Sequence, residues 1–250
     1  MLSIESTEKE KVINEIKEFG FSNVTGKSFS LSGGFLEFIE FSQSWENMPE
    51  DIYFGQKDSG RRFRRYSDFD YNPVTKKISQ LEHRPYHQST ELNKYVGGKD
   101  RHFGDFETEI IKHPILKQLI DINFEIFSGL LDENLKKEIW QCQIHQIRIE
   151  IYKNKTLEIT PEGIHSDGYP YSGVHFWGRE NVNGAESQLF DKDKNQLAAT
   201  TYSQILDTTF FLDKEMLHYV TPTTATQENA YRQIIAVSFS RPGTDYATKI

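Results

Sequence analysis

Within residues 143–152 apolar and polar side chains alternate from Gln146 to Ile151. Ile147, Ile149 and Ile151 fall on one parity, Gln146, Arg148 and Glu150 on the other. Side chains along an extended chain point to opposite faces in turn. A period of two with unlike faces therefore predicts an antiparallel strand. It opens a series: further strands are expected at 172–179, 187–191, 208–212, 216–220 and 232–240, with Asn/Asp/Gly turns at 181–184 and 191–195. The chain before it reads differently. Thr7 with Glu10 reads as a capping box for a helix through Val12, Ile13, Ile16 and Phe19 that Gly20 closes. Leu116, Leu119, Ile120, Ile122, Ile126 and Phe127 recur at helical spacing and predict a second helix over 114–131. Two strands at 61–71 and 77–83, a strand or turn within 29–41 and a long loop over 83–98 complete the reading. Helices first and a run of strands after predict a mainly β, α+β fold: a double-stranded β-helix, or jelly roll, under an N-terminal helical layer.

A length of 250 residues suits one domain, with the helical and strand layer over about 1–140 and the jelly-roll core over about 141–241. The net charge of −8 argues against a nucleic-acid groove, leaving Arg61-Arg62-Phe63-Arg64-Arg65 as strand decoration or a small anion site. A single cysteine, Cys142, allows no internal disulfide and reads as a small buried hydrophobe. The N-terminus carries charge from Glu5 onward, and no apolar run is long enough to span a bilayer, so a soluble cytoplasmic protein with no membrane partner is expected.

The chemistry-bearing residues are in Gly-Ile-His165-Ser-Asp167-Gly and Met-Leu-His218-Tyr-Val-Thr-Pro. Two imidazoles and one carboxylate are the ligands of the facial triad that binds non-haem Fe(II) and leaves the opposite face open. In an extended segment, His-x-Asp puts both side chains on one side. The bland alternative is a loop turn with a surface histidine. Arg232 follows His218 by fourteen residues at the mouth of a strand, and its guanidinium fork suits a terminal carboxylate. Arg241 competes for that task but precedes Pro242-Gly243 at the strand's far end. No Gly-rich phosphate loop, serine elbow or cysteine cluster is present.

These fragments together resemble a family. Ile144-His145-Gln146-Ile147-Arg148, His165-Ser166-Asp167-Gly168, Arg179-Glu180-Asn181 with Gly184, His218-Tyr219-Val220-Thr221-Pro222 and Tyr231-Arg232 are similar to bacterial 2-oxoglutarate/Fe(II) dioxygenases that hydroxylate free amino acids, the L-isoleucine hydroxylase type among them. The likeness is clearest in the C-terminal half. Further upstream only Arg64-Arg65-Tyr66-Ser67 and Gly97-Gly98 with Arg101 and Phe103 carry it. The resemblance implies Fe(II), 2-oxoglutarate and O2, with a free L-amino acid as the small-molecule substrate. It implies His165, Asp167 and His218 as metal ligands and Arg232 with Gln146 for 2-oxoglutarate. Arg64, Tyr66, Arg101, Arg148, Tyr169 and His175 are its substrate-site candidates. His145 shares parity with the isoleucines and reads as a core histidine, and Asp68 with Asp70 as turn and surface residues. The competing readings are a dioxygenase for a tethered or peptidyl substrate and a non-catalytic, cupin-like binding protein.

Overall fold

The computed structural model describes residues 2–31 and 35–242. Its centre is a sheet of seven strands, each antiparallel to its neighbours, in the order Phe21–Val24, Thr208–Phe211, Tyr171–Glu180, Ala230–Ser240, Trp140–Ile151, Gly60–Asn72 and Lys77–Gln80. Opposite it are two three-stranded sheets among the described residues. One is Gln196–Thr200, Ser187–Phe190 and Leu217–Val220; the other is Thr156–Leu157, Thr223–Ala225 and Val182–Gly184. The architecture is the jelly roll that the strand series predicts.

The large sheet is buried on both faces, which decides what its side chains do. Even-numbered residues of Trp140–Ile151 and odd-numbered residues of Ala230–Ser240 face the helices. Cys142, Ile144, Ile235, Val237 and Phe239 pack there with the long helix Pro114–Ser128. Phe124 packs edge-on to Phe239 at 5.4 Å, and Phe127 stacks on Tyr171 at 4.9 Å between ring centres. That helix begins at Pro114, whose missing N–H is harmless in the first turn, and the His113 ring accepts from the Ile115 N–H at 3.3 Å. The other parity faces the two small sheets: Ile147, Ile149, Ile234 and Ala236 line a cavity there.

Several local expectations change. The helix Ser6–Phe19 ends at Gly20 as read, in the left-handed conformation at φ 83°, but its N-cap is Glu5 and no side chain caps it, so the Thr7–Glu10 box does not form. The aromatic stretch within 29–41 splits into the strand Phe29–Leu31 and the helix Phe35–Ser42. There Phe38 and Phe41 pack on Trp177 at 5.0 Å. Asp68 is not a surface residue. It is buried, accepting from the Tyr66 hydroxyl at 2.7 Å and the Arg84 guanidinium at 3.0 Å. No helix of the described residues is long and apolar enough to cross a membrane.

Candidate active site

His165 and His218 meet across an isolated antiparallel bridge. The His165 N–H donates to the His218 carbonyl at 3.1 Å and the His218 N–H returns the bond at 2.7 Å. Their rings come within 4.2 Å of one another. Asp167 lies beside both, its carboxylate oxygens 3.7 Å from the Nε2 of each ring. One ligand atom from each of the three residues falls within 4.8 Å of the others, and no further His, Cys, Asp or Glu of the described residues joins this group.

Each ring is turned by its other nitrogen. Gly163, at φ 80°, points its carbonyl at His165 Nδ1, 2.8 Å away. Asp213 Oδ1 stands 3.3 Å from His218 Nδ1. The hydrogen bond at His165 Nδ1 fixes that ring's tautomer and leaves its Nε2 lone pair free for a metal, and the Asp213 carboxylate holds the His218 ring in place by its charge. Both Nε2 atoms face the same carboxylate, so the donor set fits an octahedral Fe(II) held on one face. Asp213, fully buried, does more than orient His218. It accepts from the backbone N–H groups of Asp167, Gly168 and Tyr169 at 3.1, 2.5 and 2.8 Å, and so shapes the whole His-x-Asp loop. Burial alone would raise the Asp167 carboxyl and lower the His218 imidazole. The neighbouring histidines and Gln88 instead hold Asp167 below its usual range, and Asp213 and Asp167 hold His218 above its own.

The cavity beside these residues has a volume of about 160 Å³, below the roughly 300–1,000 Å³ of drug-sized sites. A larger hollow of about 770 Å³ opens on the other face of the big sheet, but it contains none of the three residues, so size alone would have selected the wrong place. Two cationic poles stand in the metal cavity. Arg232 is 5% exposed, with Ser187 Oγ at 3.4 Å and the Tyr202 ring centre at 5.8 Å. At the second pole, Arg64 donates to His145 Nδ1 at 3.2 and 3.0 Å and lies over Phe103 at 4.3 Å. Beside it Arg101 donates to Gln88 at 2.6 Å and lies over Tyr86 at 4.8 Å. Among the described residues no carboxylate comes within ion-pair distance of Arg64, Arg101 or Arg232. Burial lowers the Arg64 and Arg232 guanidiniums to about 10, with Arg62 and Arg101 adding to the shift at Arg64, so both keep their charge at neutral pH. Buried cations without a counter-charge are costly, and an anionic ligand removes that cost at each pole. Arg62, by contrast, is already matched, 2.7 Å from Asp51.

The loop over 83–98 supplies the wall between metal residues and second pole. Gln88 donates to Asp167 Oδ1 at 2.9 Å while its carbonyl accepts from Arg101 at 2.6 Å and Asn93 at 3.1 Å. Gln88, Asp213, Ser187 and Tyr202 are the contributors that no sequence signal marked: each acts through a contact far away along the chain.

Other sequence candidates are placed elsewhere. Gln146 is on the helix-facing side, bound to Arg65 at 3.1 Å and Ser44 at 2.7 Å, and does not reach the cavity. Arg148 shares that side, pairs with Glu150 at 2.9 Å and covers the Tyr231 ring at 4.2 Å. Neither the 2-oxoglutarate role expected of Gln146 nor the substrate role expected of Arg148 fits this placement: the isoleucine face of their strand, not the polar face, looks inward. Tyr66 and Tyr169 are buried in an aromatic cluster with Tyr86 and Phe103, behind the arginines rather than on the cavity wall. His175 also faces the helices. Its Nε2 is 2.7 Å from the Asn123 side-chain nitrogen and its Nδ1 3.0 Å from the Thr208 hydroxyl, which removes it from the pocket. Arg241 is exposed and paired with Glu138 at 2.6 Å.

The position of His175 has a consequence for stability. Burial lowers its imidazole to about 3, and burial with Arg64 beside it lowers His145 well below the usual value. Both fold in the neutral form. Between about pH 6.5 and 3 the unfolded chain binds the proton that folded His175 refuses, so its contribution is complete above pH 6.5 and is lost as pH falls. Urea unfolding in the presence of chelator should show wild type losing up to about 1.4 kcal/mol per pH unit at this site across that window. His175→Gln should be less stable at pH 8 yet show a shallower acid slope, with metal binding unchanged. Equal slopes would contradict the buried neutral state.

Comparison with known proteins follows the same lines. A family model described as 2OG-Fe dioxygenase matches residues 42–238. No curated protein sequence matches. Among solved structures, a BsmA homologue from Methylobium petroleophilum PM1 aligns with a TM-score of 0.79 at 23% identity, covering 94% of this chain and 93% of that one. The structure titled IDO from Bacillus thuringiensis aligns with a TM-score of 0.75 at 17% identity, over 96% and 98%. The Fe(II)/α-ketoglutarate-dependent dioxygenase TqaL gives 0.65 at 18%, over 96% and 90%. At such identities these three establish the fold alone.

Proposed function

The chain belongs to the 2OG-Fe dioxygenase family, whose members use Fe(II), 2-oxoglutarate and O2, and from that premise we propose that it hydroxylates a C–H bond of a small carboxylate substrate, a free L-amino acid. The observation that carries this reading is the pair of cationic poles, Arg232 and Arg64 with Arg101, in one small cavity beside His165, Asp167 and His218. One pole serves the cosubstrate. The other then serves a second anion.

Fe(II) held by the three residues supplies, with 2-oxoglutarate and O2, the oxidising chemistry that ends in succinate and CO2. The protein's own contribution is placement. Arg232 and the Ser187 hydroxyl take the far carboxylate of 2-oxoglutarate. Arg64 and Arg101 take the substrate carboxylate, and Tyr86 and Phe103 beneath them exclude water, which strengthens both contacts. Ile147, Val174, Leu189 and Ile234 give the cavity an aliphatic lining that suits a hydrocarbon side chain. Gln88 holds one oxygen of Asp167, leaving the other for the metal.

Anaerobic reconstitution with Fe(II) and 2-oxoglutarate, followed by O2 and each of the twenty amino acids, tests the reading. At least one should stimulate succinate formation and gain about 16 Da, the mass of one oxygen delivered at an open iron site. Succinate that no amino acid stimulates would point to a larger or tethered substrate. Failure of the protein to retain iron at all would favour a binding protein instead.

A further inference from the structure

We propose that Glu162 binds the substrate's ammonium group, so that the cavity reads both charged groups of a free amino acid and disfavours one whose nitrogen is acylated. The proposal deepens the amino-acid reading above and rests on it.

Glu162 sits in the cavity wall, three residues before His165, with its side chain 14% exposed. Its position is built rather than incidental. The Gly163 N–H closes a turn on the Thr160 carbonyl at 2.9 Å. The Thr160 hydroxyl is tied to the Val220 backbone through both its carbonyl, at 3.2 Å, and its N–H, at 3.1 Å. Val220 ends the strand that carries His218, so the turn is fixed to the metal residues from two sides. From this turn the carboxylate comes 3.4 Å from His165 Nε2, its one ion-pair contact among the described residues, and no hydrogen bond from any of them reaches it.

That contact cannot last in the working protein. His165 Nδ1 is committed to the Gly163 carbonyl, and a neutral imidazole that donates at Nδ1 presents only a lone pair at Nε2. Once that lone pair faces a metal, Glu162 has no donor. Its carboxylate, 14% exposed, then has acceptor capacity that a cation or a strong donor in the cavity can meet. Glu162 stands outside the set of three whose ligand atoms converge, so it is not a fourth ligand by position. The same cavity already offers Arg64 and Arg101 to an anion. An α-amino acid, with its ammonium and its carboxylate on one carbon, brings a charge for each. An amide nitrogen carries no charge and would leave Glu162 without a counter-charge, so a peptidyl or N-acylated substrate loses an ion pair here that a free amino acid makes.

The test separates the two charged ends. Wild-type protein loaded anaerobically with Fe(II) and 2-oxoglutarate is titrated with L-leucine, with 4-methylpentanoate, which lacks the amine, and with 3-methylbutylamine, which lacks the carboxylate. Leucine should bind at least ten-fold more tightly than either. Glu162→Gln should remove the advantage of leucine over 4-methylpentanoate while its affinity for 4-methylpentanoate and for Fe(II) stays at the wild-type level. Three results overturn the proposal: an undiminished leucine preference in Glu162→Gln, 4-methylpentanoate binding wild type as tightly as leucine does, or Fe(II) binding lost in Glu162→Gln, which would make Glu162 a ligand. If 4-methylpentanoate binds wild type tightly and leucine does not, the carboxylate pole stands and only Glu162 falls. If neither leucine nor any amino acid of the succinate screen binds, the amino-acid reading itself fails and takes the proposal with it.

Discussion

His218→Ala should lose Fe(II) binding by orders of magnitude while remaining folded. The expectation follows from how little else could replace the ring. The ligand atoms of His165, Asp167 and His218 converge on one another, and no fourth residue of the described chain joins that group. The nearest sequence decoy, His175, is held by Asn123 and Thr208 on the far side of the sheet. Loss of an outer partner is a milder event, worth about 10- to 100-fold in metal affinity, so Asp213→Asn should fall between wild type and His218→Ala. Asp213 also supports three backbone N–H groups of the His-x-Asp loop, and its variant should therefore lose thermal stability as well, which His218→Ala should not. Equilibrium dialysis with Fe(II) under anaerobic conditions, read beside circular dichroism melting, checks both. A folded His218→Ala protein that holds iron like wild type would remove His218 from the site.

The strands and the second helix were legible because their periods are local, and the metal residues because their spacing is. What stayed hidden depends on which face of a strand looks where. In Trp140–Ile151 alternation locates the strand but leaves both faces open to burial: Gln146 is as buried as Ile144. Assigning the polar face to the cavity assumes a polar interior. The cavity instead takes Ile147 and Ile149, and the polar side chains meet Ser44, Arg65 and Glu150 beneath the helical layer. The basic run 61–65 divides by the same rule. Arg62 and Arg64 face inward. Arg61 pairs with Glu150 at the surface and Arg65 binds Glu107, Gln146 and two backbone carbonyls on the helix side. The helix Phe35–Ser42 escaped because Phe35, Phe38, Ile39 and Phe41 are equally at home in a strand. Asp213 and Gln88 have no signature of their own. Gln88 matters through distant Asp167, and Asp213 through the distant His-x-Asp loop as well as through nearby His218, and only the folded chain makes these pairings visible.

Arg232→Ala should raise the concentration of 2-oxoglutarate needed for half-saturation by about thirty-fold to several thousand-fold and leave Fe(II) binding unchanged. Truncating one side of a buried charge pair costs about 2–5 kcal/mol, and each 1.4 kcal/mol is a factor of ten. The environment places Arg232 in the upper part of that range. It is buried, no carboxylate matches it, and the groups around it, Ser187 and Tyr202, are neutral hydroxyl bearers. A bound carboxylate would then rest on the guanidinium for its charge. Arg232→Lys should recover only part of the loss, because an ammonium keeps the charge but not the two-pronged fork. Arg241→Ala is the internal control. Its side chain is exposed and paired with Glu138, so it should bind 2-oxoglutarate as wild type does. The second pole gives a sharper contrast. Arg101→Ala should weaken the amino acid and leave 2-oxoglutarate affinity near its wild-type value, since Arg101 stands with Gln88 and Tyr86 rather than with Ser187 and Tyr202. Equilibrium binding of each ligand to the anaerobic Fe(II) protein reads both constants separately. If Arg101→Ala lost 2-oxoglutarate and Arg232→Ala lost the amino acid, the two poles would have been assigned in reverse, with the metal site between them unaffected.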